Sequence, residues 1–225
     1  MGHDSLHPVS DTCDDDFGGW GASAIDALST AIIIGKQEVV MQILRFIATI
    51  DFTVVKGGTS VQSFEVTIRH LGGMLSAFDL LNGPFDDMVK DENLRRALHE
   101  QIVRLGDALS CAFNTPTGIP RSWVNPTLCI TDDGTTNTVA GAGSMILEFA
   151  RLSNITGNQT YVGLARKAEE FLLAPRPIAS EPFPGLLGDS VSVTQGTMMD
   201  SKGSWGAMSD CEWNMAYDNS VWILD

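Results

Sequence analysis

Apolar positions recur at helical spacing in six stretches of the chain, each closed by Gly, Pro, Asn or Asp. The first spans about 22–34, where Ile25, Leu28, Ile32 and the alanines between them form one close-packing face. The second spans about 37–48, with Val39, Val40, Ile43, Leu44 and Ile47 on the inward side. Four more follow at about 62–81, 91–113, 143–155 and 159–173. Asn158 stands where it can cap the last helix, and Pro175 and Pro177 stop it. Period-two alternation is scarce. Between the fourth and fifth helices, the string NTPTGIPRSWVNP at 114–126 holds prolines and a glycine that forbid helix and regular strand, so it reads as a long ordered loop. Sequential helices with elaborate connections imply an all-α fold of α/α hairpins packed in a ring or solenoid. No repeat of fixed period supports a regular helical array.

With 225 residues, 44% hydrophobic and 19% charged, the chain can bury a core and is too apolar to remain disordered. A net charge of -14 removes nucleic acid as a partner, because phosphate contacts need clustered Lys and Arg. The apolar run at 24–34 contains Asp26 and is followed by Lys36, which makes it too short and too polar for a membrane span. The opening GHDSLHPVSD has neither the basic nor the apolar region of a secretory signal. Two acceptor triplets for N-glycosylation, Asn154-Ile155-Thr156 and Asn158-Gln159-Thr160, point the other way, toward the secretory route. Cys13, Cys111, Cys129 and Cys211 have no metal-binding spacing. They read either as buried thiols or as one of three possible pairings.

The densest chemistry lies in SFEVTIRHLGG at 63–73. Phe64, Ile68 and Leu71 share a stripe, while Glu65 and Arg69 are four apart and meet along one helix. A carboxyl held by a guanidinium keeps one rotamer, as a general acid requires; the same spacing also describes an ordinary surface ion pair. Gly72 and Gly73 weaken a helix interior by about 1 kcal/mol each, so a neighbour is expected to approach the backbone closely there. Trp20, Trp123 and Trp205 are flanked by loop residues and are candidates for stacking on sugar rings or for the core. The acidic runs at 14–16 and 132–133 lack calcium-loop spacing and read as solvated turns.

Six strings occur in order: GHDSLHPVS, GWGASAIDALSTAIIIG, SFEVTIRHLGGMLSAFDL, FNTPTGIP, AGAGSMILEFARLSNITGN and PFPGLLG. Together they resemble the catalytic domain of glycoside hydrolase family 47, the class I α-1,2-mannosidases, and its fungal members in particular. The resemblance implies an (α/α)7 barrel, here an incomplete one, and inverting hydrolysis of terminal α-1,2-linked mannose from high-mannose N-glycans. It implies that Glu65 is the acid, acting on the leaving oxygen through a water, and that Arg69 binds mannose and orients that acid. Glu148, in LEFARLS, matches a glutamate of the substrate groove. Asp210 matches an aspartate that opens a further motif as a second acid or base.

The likeness covers about 2–210, so we take 1–210 as part of a mannosidase catalytic domain and 211–225 as a divergent tail. Calcium belongs to the family, but its threonine ligand and the base glutamate fall in the half of the domain that this sequence lacks, so no metal ligand is expected in this chain. The expectation is therefore a chain that releases no mannose on its own. Relatives are anchored in the endoplasmic reticulum or Golgi, or are secreted, although no signal segment is present in this sequence. A position within DALST also departs from the family, with Ser29 in place of the usual aspartate. The rival readings are a non-catalytic lectin-like or glycoprotein quality-control interaction module, and a plain helical scaffold with no sugar site.

Overall fold

The computed structural model describes residues 2–177, 187–203 and 206. Two compact units emerge, one formed by residues 1–109 with 125–129, the other by 110–124 with 130–225.

The first unit opens with a hairpin in which β1 (Ser5–His7) pairs antiparallel with β2 (Thr12–Asp14). Helices α1 (Ala22–Asp26), α2 (Leu28–Ile33) and α3 (Gln37–Ile47) follow. The expected 22–34 helix is thus two helices meeting at Ala27, which keeps α-helical backbone angles. A two-residue strand, β3 (Val61–Gln62), leads into α4 (Ser63–Val66), a π-helical turn at Thr67–Leu71 and α5 (Gly72–Leu81), together the expected third helix. The α1 and α2 helices pack on α5, and Ile25, Leu28, Ile32, Leu71 and Met74 are almost wholly removed from water there. The closest approach is at Gly73, where a Cβ would stand 2.8 Å from the Ile25 carbonyl oxygen. The glycine expected to admit a neighbour does so, and the neighbour is α1.

Helix α6 (Glu92–Ser110) contributes Leu98, Ile102 and Leu105 to this core. Its Gln101 is buried and donates from Nε2 to the carbonyls of Ile47 and Ile50, each at 2.7 Å. Those two bonds tie α6 to the end of α3 and to the turn that follows it.

In the second unit a 3-10 turn (Cys111–Phe113) precedes the short strands β4 (Trp123–Asn125), β5 (Ile130–Thr131) and β6 (Thr136–Thr138). The long proline-bearing loop lies between that turn and β4. Helices α7 (Val139–Gly143), α8 (Ile146–Thr156) and α9 (Thr160–Leu173) follow, and β7 (Ser190–Ser192) pairs antiparallel with β6. Thr138 caps α7 by accepting from the Gly141 N–H at 2.9 Å. The α8 and α9 helices form the hairpin that their spacing predicts. Phe149 of α8 sits between Phe113 at 5.0 Å and Tyr161 at 6.3 Å, ring centroid to centroid. Gly157 at φ 73° ends α8 in the left-handed conformation that glycine tolerates.

Cys111 and Cys129 are disulfide-bonded, so the thiol reading fails for both, while Cys13 is free and exposed. Cys211 lies outside the described residues. Among the described residues no helix is long and apolar enough to cross a membrane.

Candidate functional site

The site in the first unit is built on the helix that runs through the π turn. Arg69 Nε donates to Glu65 Oε2 at 2.8 Å, so the pair that spacing suggested is formed. It does not stand in bulk water, since the Glu65 side chain keeps only 23% of its exposure and Arg69 37%. On its other side the guanidinium faces Asp26 of α1, with 3.5 Å between Arg69 Nη1 and Asp26 Oδ2. The Phe17 ring lies under it, its centroid 5.3 Å from Arg69 Cζ. Arg69 is therefore held by two carboxylates and an aromatic face, a geometry that suits the planar fork of arginine. The Gly73 notch makes this possible, because Asp26 directly follows the Ile25 whose carbonyl rests on that glycine. A π turn carries Arg69, and such turns are frequent at functional sites.

Two residues behind Arg69 hold the frame. Asp4 is wholly buried, and its carboxylate accepts four backbone N–H groups: Phe17 and Gly19 at 2.7 Å, Gly21 at 2.8 Å and Ala22 at 3.0 Å. It thereby shapes the loop that presents Phe17 and starts α1. His70 is also wholly buried, packs edge-on against Trp20 at 5.9 Å, and has no hydrogen-bond partner on either ring nitrogen. Burial pushes its imidazole down to about 4; the Asp4 carboxylate opposes that push and Arg69 adds to it. Trp20 itself is core: it is 3% exposed, donates to the Val54 carbonyl at 2.8 Å and meets Phe52 edge-on. Trp123, by contrast, is exposed at 43%.

Glu148, in the first turn of α8 in the second unit, is a different kind of carboxyl. Its Oε2 is out of reach of water and accepts no hydrogen bond. Burial raises its pKa to about 7, opposed only by its own backbone N–H. One turn earlier, the hydroxyl of Ser144 is likewise buried and unpartnered. Asp210 and Trp205 lie outside the described residues.

For calcium, no group of three or more His, Cys, Asp or Glu side chains converges among the described residues in a way that could hold the ion. Two acids of the run at 14–16 make hydrogen bonds instead: Asp14 with His7 at 2.6 Å and Asp15 with His3 at 3.1 Å. The described residues therefore do not fit a calcium site, and no step is drawn through the metal.

The sequence profile described as Glycosyl hydrolase family 47 matches residues 1–222. The chain belongs to that family. Among curated relatives, the mannosyl-oligosaccharide alpha-1,2-mannosidase of Penicillium citrinum is 48% identical over 208 residues, which cover 92% of this chain and 40% of that protein. The mannosyl-oligosaccharide alpha-1,2-mannosidase 1B of Aspergillus oryzae is 47% identical over the same shares. Among solved structures, the alpha-1,2-mannosidase from Trichoderma reesei aligns with a TM-score of 0.89 at 44% identity, covering 93% of this chain and 44% of that one. The fold class is thus the all-α, paired-helix class of the family 47 (α/α)7 barrel. The chain spans about two fifths of the length of the curated relatives it matches.

Within the family 47 chain, Glu65 and Arg69 come together in the first unit, whereas Glu148 belongs to the second. Reading the residues in order missed Asp26 and Asp4. The signal for Asp26 was a single acid inside an otherwise apolar stripe, and it served only to exclude a membrane span. Ser29 is half-buried on α2, and the carboxylate facing Arg69 comes from Asp26.

Proposed function

We propose that this chain supplies the acid-bearing part of an α-1,2-mannosidase that trims terminal mannose from high-mannose N-glycans with inversion. Glu65 is the general acid, delivering its proton to the leaving oxygen by way of a water. Arg69 binds mannose and fixes the rotamer of that acid, Glu148 lines the substrate groove, and Asp210 serves as a second acid or base. The observation that carries this reading is the Arg69 guanidinium, held between Glu65 at 2.8 Å and Asp26 at 3.5 Å on a partly buried helix face. An exposed i,i+4 bridge would have no need of the second carboxylate or of Phe17 beneath it. Inversion also needs a carboxylate that activates water across the bond. The resemblance assigns that carboxylate, and the calcium ligand, to the part of the domain beyond this sequence.

We read the protein as one of the secretory pathway, in the endoplasmic reticulum or Golgi lumen or outside the cell. The bonded state of Cys111 and Cys129 supports this, because disulfides persist in oxidising compartments. The test is a graft of this chain in place of the matching portion of a full-length relative, assayed on α-1,2-mannobiose with calcium. Turnover is expected, with Glu65→Gln lowering kcat by about 10²–10⁴-fold. A folded graft that binds the disaccharide but is indifferent to Glu65→Gln would overturn the assignment and favour the lectin-like alternative.

A further inference from the structure

The region of the α8–α9 turn carries two neighbouring triplets, Asn154-Ile155-Thr156 and Asn158-Gln159-Thr160, and the fold treats them differently. Both asparagines are exposed. Asn154 lies inside α8, where successive residues turn by about 100°, so its amide and the Thr156 hydroxyl leave the helix on opposite sides. That hydroxyl is also committed, donating to the Leu152 carbonyl at 2.7 Å and accepting from the Asn158 N–H at 3.2 Å.

Asn158 stands past the end of α8, just after the left-handed Gly157. Its side-chain Oδ1 accepts from the Thr160 N–H at 3.1 Å, which folds the amide over the residue two positions on. This local turn needs only the triplet itself and so is available to the chain before it folds. The backbone around it is anchored, since the Ser153 hydroxyl donates to the Asn158 carbonyl at 2.9 Å. The asparagine and Thr160 side chains remain at the surface. A bulky glycan there displaces no packed group, and the turn beneath it is already tied down.

We propose that Asn158 is an N-glycosylation site and that Asn154 is not. The donor is a lipid-pyrophosphate-linked oligosaccharide. The Asn158 amide nitrogen forms a bond to C1 of the donor's first sugar as the C1–O bond breaks. The electron pair leaves on the lipid pyrophosphate, and one amide proton passes to a base of the transferase. The inference rests on the secretory reading of the chain and is independent of its hydrolytic activity.

The test is to direct the chain into the secretory pathway of a eukaryotic host, then remove glycans with a peptide N-glycosidase in heavy-oxygen water. The tryptic peptide at 152–166 holds both triplets. Heavy-oxygen aspartate is expected at position 158 alone. The gel shift should vanish in Asn158→Gln and Thr160→Ala, and persist in Asn154→Gln and Thr160→Ser. A secreted, folded protein with an unmodified peptide, or with the label at position 154, overturns the proposal and leaves the compartment reading intact. Reduced Cys111 and Cys129 in protein taken from its own cells would remove the compartment reading separately.

Discussion

Asp4 in the first unit and Glu148 in the second are both carboxyls withdrawn from water, and the chain handles them in opposite ways. Asp4 accepts four backbone N–H groups at 3.0 Å or less, while Glu148 Oε2 accepts none. A buried charge persists only if it is paired or hydrogen-bonded; otherwise the group takes up a proton. Asp4 thus organises the loop that approaches Arg69, whereas burial raises the pKa of Glu148 to about 7. The first unit spends its polar contacts on holding a geometry. The second leaves the Glu148 Oε2 atom without a hydrogen-bond partner, and burial then governs how that carboxyl titrates.

The most disruptive way to break this comparison is Asp4→Ala. It strands four N–H donors in the core and is expected to cost about 3–5 kcal/mol, because buried donors without acceptors lose their full desolvation penalty. Urea unfolding followed by tryptophan fluorescence measures it. A loss below about 1 kcal/mol would mean that water replaces the carboxylate, and the contrast with Glu148 would vanish.

Glu148→Gln should act with the opposite sign. In the unfolded chain the carboxyl ionises near 4.5, and in the folded chain near 7, so the folded state holds the extra proton between those values. Stability from this group falls as pH rises through that window, and the substitution should recover on the order of 3 kcal/mol above it. His70 works against this trend. Its unfolded imidazole takes up a proton below about 6.5 and the folded one only near 4, so stability falls as pH drops through that range. Between about 4.5 and 6.5 the two slopes oppose each other. In Glu148→Gln only the acid limb remains, and in His70→Phe only the alkaline one. Flat stability profiles in both variants would show that neither group is desolvated as the structure indicates.

The glycines extend the contrast at smaller scale. Gly73→Ala places a methyl 2.8 Å from the Ile25 carbonyl oxygen and should cost about 1–3 kcal/mol by forcing α1 from α5. Gly163 of α9 is exposed and has nothing within 4 Å of its would-be Cβ, so Gly163→Ala should gain about 0.5–1 kcal/mol. Thermal unfolding of the two variants separates a glycine that admits a neighbour from one that merely weakens a helix.

Much of this was legible in the residue order. Helical periodicity with Gly and Pro punctuation located every helix except α7, though it merged α1 with α2, and the Glu65–Arg69 spacing predicted their bond, because both are local. The rest was illegible for a physical reason. Asp4 meets N–H groups 13–18 residues away in a loop of no period. Asp26 reaches Arg69 only because Gly73 lets two helices close in. The three-residue strands of the opening hairpin are too short for alternation to register, and the bonded state of Cys111 and of Cys129 is set by folding, not by spacing.

The smallest expected effect tests how finely burial grades the two carboxylates on Arg69. Asp26 keeps 52% of its side-chain exposure and stands 3.5 Å from Nη1, whereas Glu65 keeps 23% and bonds Nε at 2.8 Å. Water and salt screen the first pair more than the second. Asp26→Asn should therefore shift stability by less than about 1 kcal/mol, and added salt should shrink that further. Double-mutant cycles with Arg69→Met make the test specific, since they isolate each pairwise coupling from the loss of either side chain. The Glu65–Arg69 coupling should exceed the Asp26–Arg69 coupling. The reverse order would mean that α1, not the helix bearing the acid, fixes the guanidinium.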